Sequence, residues 1–357
     1  MEENIKIITY SVSDLKNWLL HNHTENGLSG SVIAPARAYS IINNPFVTDD
    51  TQVVCALFVN DRVAAFTAAF PEVLQKPENR LAWWFSTLWC EPEFAGRGFG
   101  LAVIGTMCEL IGEGNFLDAE GARETVEIFK MLGLKNTYIP RYVFSGRSIK
   151  TETIRGKLAW FRELLSKKKC DRKRRLLLHE AGVDSSYVVK YSRFIDDATY
   201  AFIKEHSHED VILRKQETFN WILQYPFAQV SPLFDRVPFD NRFSSTIKEY
   251  QSFCCGVYVG DKLVGVSMSV ISGCVMSVKY LYYEKELEKF VFRAIVDHVL
   301  TLRINKFETN DEKLSEYIKA LRIFTKSTIF PRSFSHPQQF EFSTGMRLQA
   351  GEGDMFV

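Results

Sequence analysis

The same order of features occurs twice along this 357-residue chain. Ile41-Ile42-Asn43-Asn44-Pro45-Phe46 returns as Ile222-Leu223-Gln224-Tyr225-Pro226-Phe227. Cys55-Ala56-Leu57-Phe58-Val59-Asn60-Asp61-Arg62-Val63 returns as Cys255-Gly256-Val257-Tyr258-Val259-Gly260-Asp261-Lys262-Leu263, and the segment opening at Phe116 resembles the one opening at Phe307. The offsets are 181, 200 and 191 residues, so the second copy gains residues before its hairpin and loses about nine after it. Such self-similarity predicts two similar folds in tandem, each large enough to bury a core. The loss falls where the first copy carries Cys90-Glu91-Pro92-Glu93-Phe94-Ala95-Gly96-Arg97-Gly98-Phe99-Gly100. There the second copy reads Val278-Lys279-Tyr280-Leu281-Tyr282-Tyr283-Glu284-Lys285-Glu286, with no glycine.

Strand and helix patterns mix within each copy, which predicts an α/β fold on a mixed sheet. Residues 5–12 read as a strand, and Ser13-Asp14 as the cap of a short helix running to His21. Asn60-Asp61, between the apolar runs 53–59 and 63–69, is a hairpin turn. Residues 81–89 and 116–119 are strands, 123–132 is an amphipathic helix closed by Gly133, and a strand over 137–144 completes the block. Then the composition changes. Lys167-Lys168-Lys169 and Arg172-Lys173-Arg174-Arg175 follow apolar residues at Ile154, Leu158, Trp160, Phe161, Leu164 and Leu165, as in a basic helical connector. The expected layout is a first domain over 1–145, the connector over 146–190 and a degenerate second domain over 191–357.

A net charge of +1 provides no overall field to recruit nucleic acid or an anionic membrane. No apolar run approaches the roughly 18 residues of a membrane span. Met1-Glu2-Glu3-Asn4 lacks the basic and apolar regions of a signal peptide. The seven cysteines form no CxxC pair and read as reduced, mostly buried thiols of a cytoplasmic protein. His21-x-His23 and His206-x-His208 have no third ligand nearby, so no metal is expected.

The stretch from Cys90 to Gly100 joins an apolar strand to a helical segment, Leu101 onward, through glycines at alternate positions. Glycines let the backbone approach a bulky group, and the helix start adds unpaired N–H groups and the positive end of a dipole. This is an anion cradle, suited to a phosphate. A dinucleotide turn would place its glycines directly after the strand, whereas here Cys90 to Ala95 intervene; a kinase-type loop would need Gly-Lys-Ser/Thr.

The stretch resembles the GNAT superfamily of acyl-CoA N-acyltransferases, whose fourth strand ends in a pattern like V-D-P-E-Y-R-G-K-G-I-G. Cys90 to Gly100 follows that pattern position by position, with Ala95 in place of the usual Gln or Arg. The hairpin and the helix from Arg123 to Gly133-Leu134 extend the resemblance over about 5–145; the second copy follows only by order of elements. The resemblance implies two tandem GNAT-like domains. Trp89, Cys90, Ala95, Gly96, Arg97, Gly98, Phe99, Gly100 and Leu101 would hold the pyrophosphate of acetyl-CoA.

It also implies amine attack on a thioester, with a backbone amide near Cys90 serving the oxyanion. The family's usual acid, a tyrosine four residues before the glycine of the last helix, is Phe129 here, and 81–89 holds no carboxylate to act as base. Asp118 and Glu120 are the candidate bases, and Tyr138 the candidate acid. Tandem members also suggest a base from the terminal carboxylate after Gly353-Asp354-Met355-Phe356-Val357. The expected function is acetyl transfer from acetyl-CoA to a small-molecule amine, without membrane or nucleic-acid partners and with a homodimer left open. Two alternatives stand beside it: a tRNA-dependent aminoacyl transferase of the related two-domain type, and a non-catalytic CoA-binding regulator.

Overall fold

The computed structural model of the chain describes residues 3–21, 32–76, 80–112, 115–146, 165, 168–179, 186–230, 246–247, 249–338, 340 and 346–353. The first repeat comprises β1 (Ile5–Ser11), α1 (Val12–Leu20), α2 (Pro35–Ile42), β2 (Gln52–Val59), β3 (Arg62–Lys76), β4 (Arg80–Cys90), α3 (Phe99–Ile111), β5 (Asn115–Ala119), α4 (Arg123–Met131) and β6 (Lys135–Ser145). Within the connector, residues 168–179 form a helix, α5. The second repeat comprises β7 (Val188–Ser192), α6 (Asp197–Glu205), β8 (Leu213–Arg214), α7 (Gln216–Gln224), β9 (Gln229–Val230), β10 (Thr246–Ile247), β11 (Tyr250–Val259), β12 (Lys262–Ser272), β13 (Val275–Tyr283), α8 (Glu288–Thr301), β14 (Lys306–Thr309), α9 (Glu312–Leu321) and β15 (Lys326–His336).

Local signals place these elements close to where the sequence puts them, with one correction. The cap of α1 is Ser11 rather than Ser13: its side chain accepts from the Asp14 amide, and the Asp14 carboxylate accepts in turn from the Ser11 amide at 2.8 Å. That reciprocal pair is a capping box, and it starts the helix two residues earlier. The hairpin turn forms as expected, with Asn60 and Asp61 both at positive φ.

The two repeats do not build two separate sheets. The strand order is β1-β2-β3-β4-β5-β15-β6-β14-β13-β12-β11-β7, with β8 attached to β3. Each repeat therefore hands its last strand to the other: β15 pairs with β5, and β6 with β14. At the centre β6 and β15 run antiparallel through Pro140 opposite Pro331. Neither proline has an N–H, so this pair is of the non-hydrogen-bonded kind and the missing donors fall on the outer edges. There β14 and β5 have already ended, at Thr309 and Ala119.

In the first repeat α1 and α2 cover one face and α3 and α4 the other. A shared core then joins the halves, with Phe70, Trp84 and Leu117 of the first repeat packed among Phe219, Trp221, Tyr280 and Phe334 of the second.

Candidate functional site

The glycine stretch forms a compact ledge at the end of β4. A single 3-10 turn over Pro92–Phe94 follows Cys90, and the chain then passes through Gly96 and Gly98, both at φ near +80°, into α3. That φ favours glycine at Gly98, the N-cap of α3, and a Cβ there would meet nothing within 4 Å. The first helical bond runs from the Ala102 amide to the Gly98 carbonyl at 2.9 Å, so the amides of Phe99, Gly100 and Leu101 precede it. Phe94 and Phe99 pack beneath the ledge at 5.8 Å, and Arg97 lies over the Phe99 ring while pairing with Glu3. Ala95 and Leu101 are exposed. Trp89 donates its indole N–H to Glu91 at 3.1 Å. Burial raises the Cys90 thiol pKa, with Glu91 adding to the rise and the Gly100 amide offsetting part of it. That environment opposes a thiolate nucleophile.

Next to the ledge the sheet opens. Strands β4 and β5 are parallel and, among the described residues, paired from Ala82–Asn115 to Trp84–Leu117. Beyond that point β4 carries a bulge: Ala68 faces Ser86, then Phe66 faces Trp89, leaving Thr87 and Leu88 against the single Thr67. Thr87 sits at φ 55°, and its buried hydroxyl has no hydrogen-bond partner among the described residues.

The three expected catalytic side chains are not brought together. Asp118 is buried under the turn into α4, so close that a Cβ on Gly121 would lie 2.4 Å from its Oδ2. Glu120 accepts from Arg141 at 2.8 Å and lies 3.3 Å from Arg332. Tyr138 is 62% exposed and lines a cleft of about 920 Å³ with Lys285, Asp311 and Arg347 of the second repeat. Strand exchange carries it there, because β6 lies beside β14 rather than β5. Phe129 is core, packed on Phe85 at 5.2 Å.

Sequence reasoning missed a strap formed by residues 346–353. Beyond the Ser277–Glu308 pair, β13 and β14 part as β4 and β5 do, and the strap fills that gap. Its Gly351 amide donates to the Lys279 carbonyl at 2.8 Å, and the Gln349 side chain bonds both the N–H and C=O of Leu281. Arg332 then donates to the carbonyls of Gln349 and Glu352. At the strap's end, buried Arg214 binds the Glu352 carboxylate and the Gly353 carbonyl, each at 2.9 Å, and lies 3.6 Å from Glu72. Glu72 accepts from the Trp84 indole at 2.6 Å.

This cluster carries two carboxylates against one guanidinium in a fully buried site. Burial raises the Glu352 pKa to about 7 against the pull of Arg214, with Glu72 adding to the rise. Burial likewise raises Glu72, with Arg214 and Trp84 opposing. Nearby Lys279, at the bulge of β13, is pushed down to about 8 by burial and by Arg332. No local motif signals these contacts; the partners lie 138 and 139 residues apart. The terminal-carboxylate base falls on 354–357, outside the described residues.

In the connector, Arg174 donates to the carbonyls of Ile304 and Ile323 and covers Phe324, so it anchors α5. Lys168, Lys169, Arg172, Lys173 and Arg175 are exposed. Among the described residues no helix is long and apolar enough to cross a membrane, and no His/Cys/Asp/Glu group could hold a metal.

No protein-family model and no curated protein matches the sequence. Among solved structures, the chain is similar to the Saccharomyces cerevisiae N-myristoyltransferase with bound myristoyl-CoA: TM-score 0.52, 10% identity, over 94% of this chain and 83% of that one. A candidate acetyltransferase from Pyrococcus horikoshii gives 0.51 and 10%, over 98% and 96%. A candidate N-acyltransferase from Enterococcus faecalis V583 gives 0.50 and 9%, over 99% and 74%. At such identities the likeness shows the fold. It is a tandem GNAT-like α/β fold.

Proposed function

We propose that the first repeat binds an acyl-CoA and transfers its acetyl group to an amine of a small molecule. The observation that carries this reading is the ledge at Gly96–Leu101, whose amides precede the first bond of α3 beside an opening in the sheet. The space over Gly96 and Gly98 is open, and a pyrophosphate set there would be held by the amides of Phe99, Gly100 and Leu101 and the dipole of α3. Hydrogen bonds to a charged group are worth about 1.5–3 kcal/mol each, so these few suffice as an anchor. Bound there, the cofactor would supply an activated thioester.

The chain's own contribution is mostly backbone. The bulge at Thr87 interrupts the ladder and frees peptide groups near the opening, the kind of donor that stabilises an oxyanion. The Thr87 hydroxyl, buried without a partner among the described residues, is available to donate a hydrogen bond to the departing sulfur. Asp118 and Glu120 remain the candidate acceptors of the amine's proton.

One observation favours a second reading, a CoA-binding regulator: Phe129, in the usual place of the acid, has no proton to give. A thiol-release assay with acetyl-CoA over amines, amino sugars and short peptides decides between them. Release that needs an amine and disappears in Gly98→Asp supports transfer. CoA binding without release for any amine supports the regulator.

A further inference from the structure

We infer that Gly353, delivered by the strap from the second repeat, forms with Trp84, Leu117 and Ala119 the floor of the first repeat's donor opening and restricts the acyl group to acetyl size. The inference rests on the acyl-CoA reading above. Because β4 and β5 are parallel and part after Trp84–Leu117, an arm entering from the ledge at the C-terminal end of β4 points toward that last pair. The acyl group, at the arm's far end, meets whatever fills the vertex.

The vertex is solid. Trp84 and Leu117 are fully buried, and Ala119 is 7% exposed. Gly353 lies directly on them: a Cβ there would be 2.9 Å from the Ala119 Cβ and 3.4 Å from Trp84 Cε3. Its φ of +79° is a second reason for glycine, since the left-handed backbone brings the strap onto the floor without a side chain.

The floor is also fixed in place. The Trp84 indole is held by Glu72, its ring packs on Phe334 at 6.1 Å, and the Arg214 guanidinium lies over it at 5.4 Å. Arg214 also grips the Gly353 carbonyl and Glu352, so moving either side of the floor would disturb a buried ion cluster. A longer acyl chain therefore has no yielding wall to enter, and interiors this closely packed do not absorb extra methylenes cheaply.

The test is calorimetric titration of the full chain with CoA, acetyl-CoA, hexanoyl-CoA and octanoyl-CoA, which needs no knowledge of the acceptor. Acetyl-CoA is expected to bind at least as tightly as CoA, and hexanoyl-CoA and octanoyl-CoA at least tenfold more weakly. In Trp84→Leu and Ala119→Gly the ratio of hexanoyl-CoA to acetyl-CoA affinity should rise at least fivefold. Trp84→Leu removes a core contact and can fail to fold; the smaller Ala119→Gly and the unmodified chain then carry the test. Hexanoyl-CoA binding as tightly as acetyl-CoA overturns the floor but leaves the CoA site standing. No binding of CoA itself overturns both.

Discussion

The junctions after β4 and after β13 start alike and end differently. Both β4 and β13 carry a bulge, part from a parallel neighbour and run into a single 3-10 turn. After the turn the first repeat inserts Ala95 to Gly98, and α3 starts with no acid in its first turn. The second repeat passes from Leu287 straight into α8, with Glu288 in the first turn and paired to Lys313 at 2.8 Å. A carboxylate at that end of a helix occupies the dipole and repels a phosphate. The second opening is moreover filled by the strap. The duplicated scaffold thus keeps its geometry in both copies, while the second lacks the glycine ledge and has its opening filled.

The largest way to disturb this asymmetry is to cut the strap's main anchor. Arg214→Met leaves Glu72 and Glu352 buried without their counter-charge, which should cost about 3–5 kcal/mol of stability in urea unfolding. A loss below about 1 kcal/mol would show that the strap is not clamped at that point.

The same cluster predicts a pH dependence. With its folded pKa near 7 instead of the ordinary 4.5, Glu352 retains a proton that the unfolded chain releases. Its contribution is present below pH 4.5 and lost as pH rises toward 7, on the order of 1–3 kcal/mol. Glu352→Gln should flatten that part of the stability profile. Lys279 acts the other way at higher pH, because its lowered pKa makes stability rise between about 8 and 10.5. Identical slopes for Glu352→Gln and the parent between pH 4.5 and 7 would remove Glu352 from the account.

The smallest effect sharpens the comparison itself. Glu288→Gln removes the acid from the start of α8 and should cost about 0.3–1 kcal/mol at most, its side chain being 31% exposed. It should create no second CoA site, since the ledge is absent and the strap still fills the opening. A second binding event in this variant would mean that charge alone had silenced the second repeat.

What the sequence revealed was local. Asn60-Asp61 dictates its own turn, and the glycines at 96 and 98 dictate theirs, so hairpin and ledge were legible from residue type and spacing. The exchange of β6 and β15 was not, because the two strands descend from the same repeat position and either pairing satisfies the same apolar alternation. Tyr138 shows the consequence: it follows α4 in sequence yet lines the other repeat's cleft. The Glu72–Arg214–Glu352 cluster was hidden for a related reason. Three buried charges far apart in the chain carry no periodicity and no motif, and only the packed halves bring them into contact.

The central claim is that one repeat binds the cofactor and the other does not. Calorimetric titration of the chain with CoA tests it most directly, read for stoichiometry and repeated with Gly98→Asp, which puts a charge where a pyrophosphate would lie. The account predicts one CoA per chain and loss of that binding in the variant, with the unfolding midpoint changed only by the roughly 1 kcal/mol of a left-handed residue that is no longer glycine. Two sites per chain, or unchanged affinity in Gly98→Asp, would contradict it.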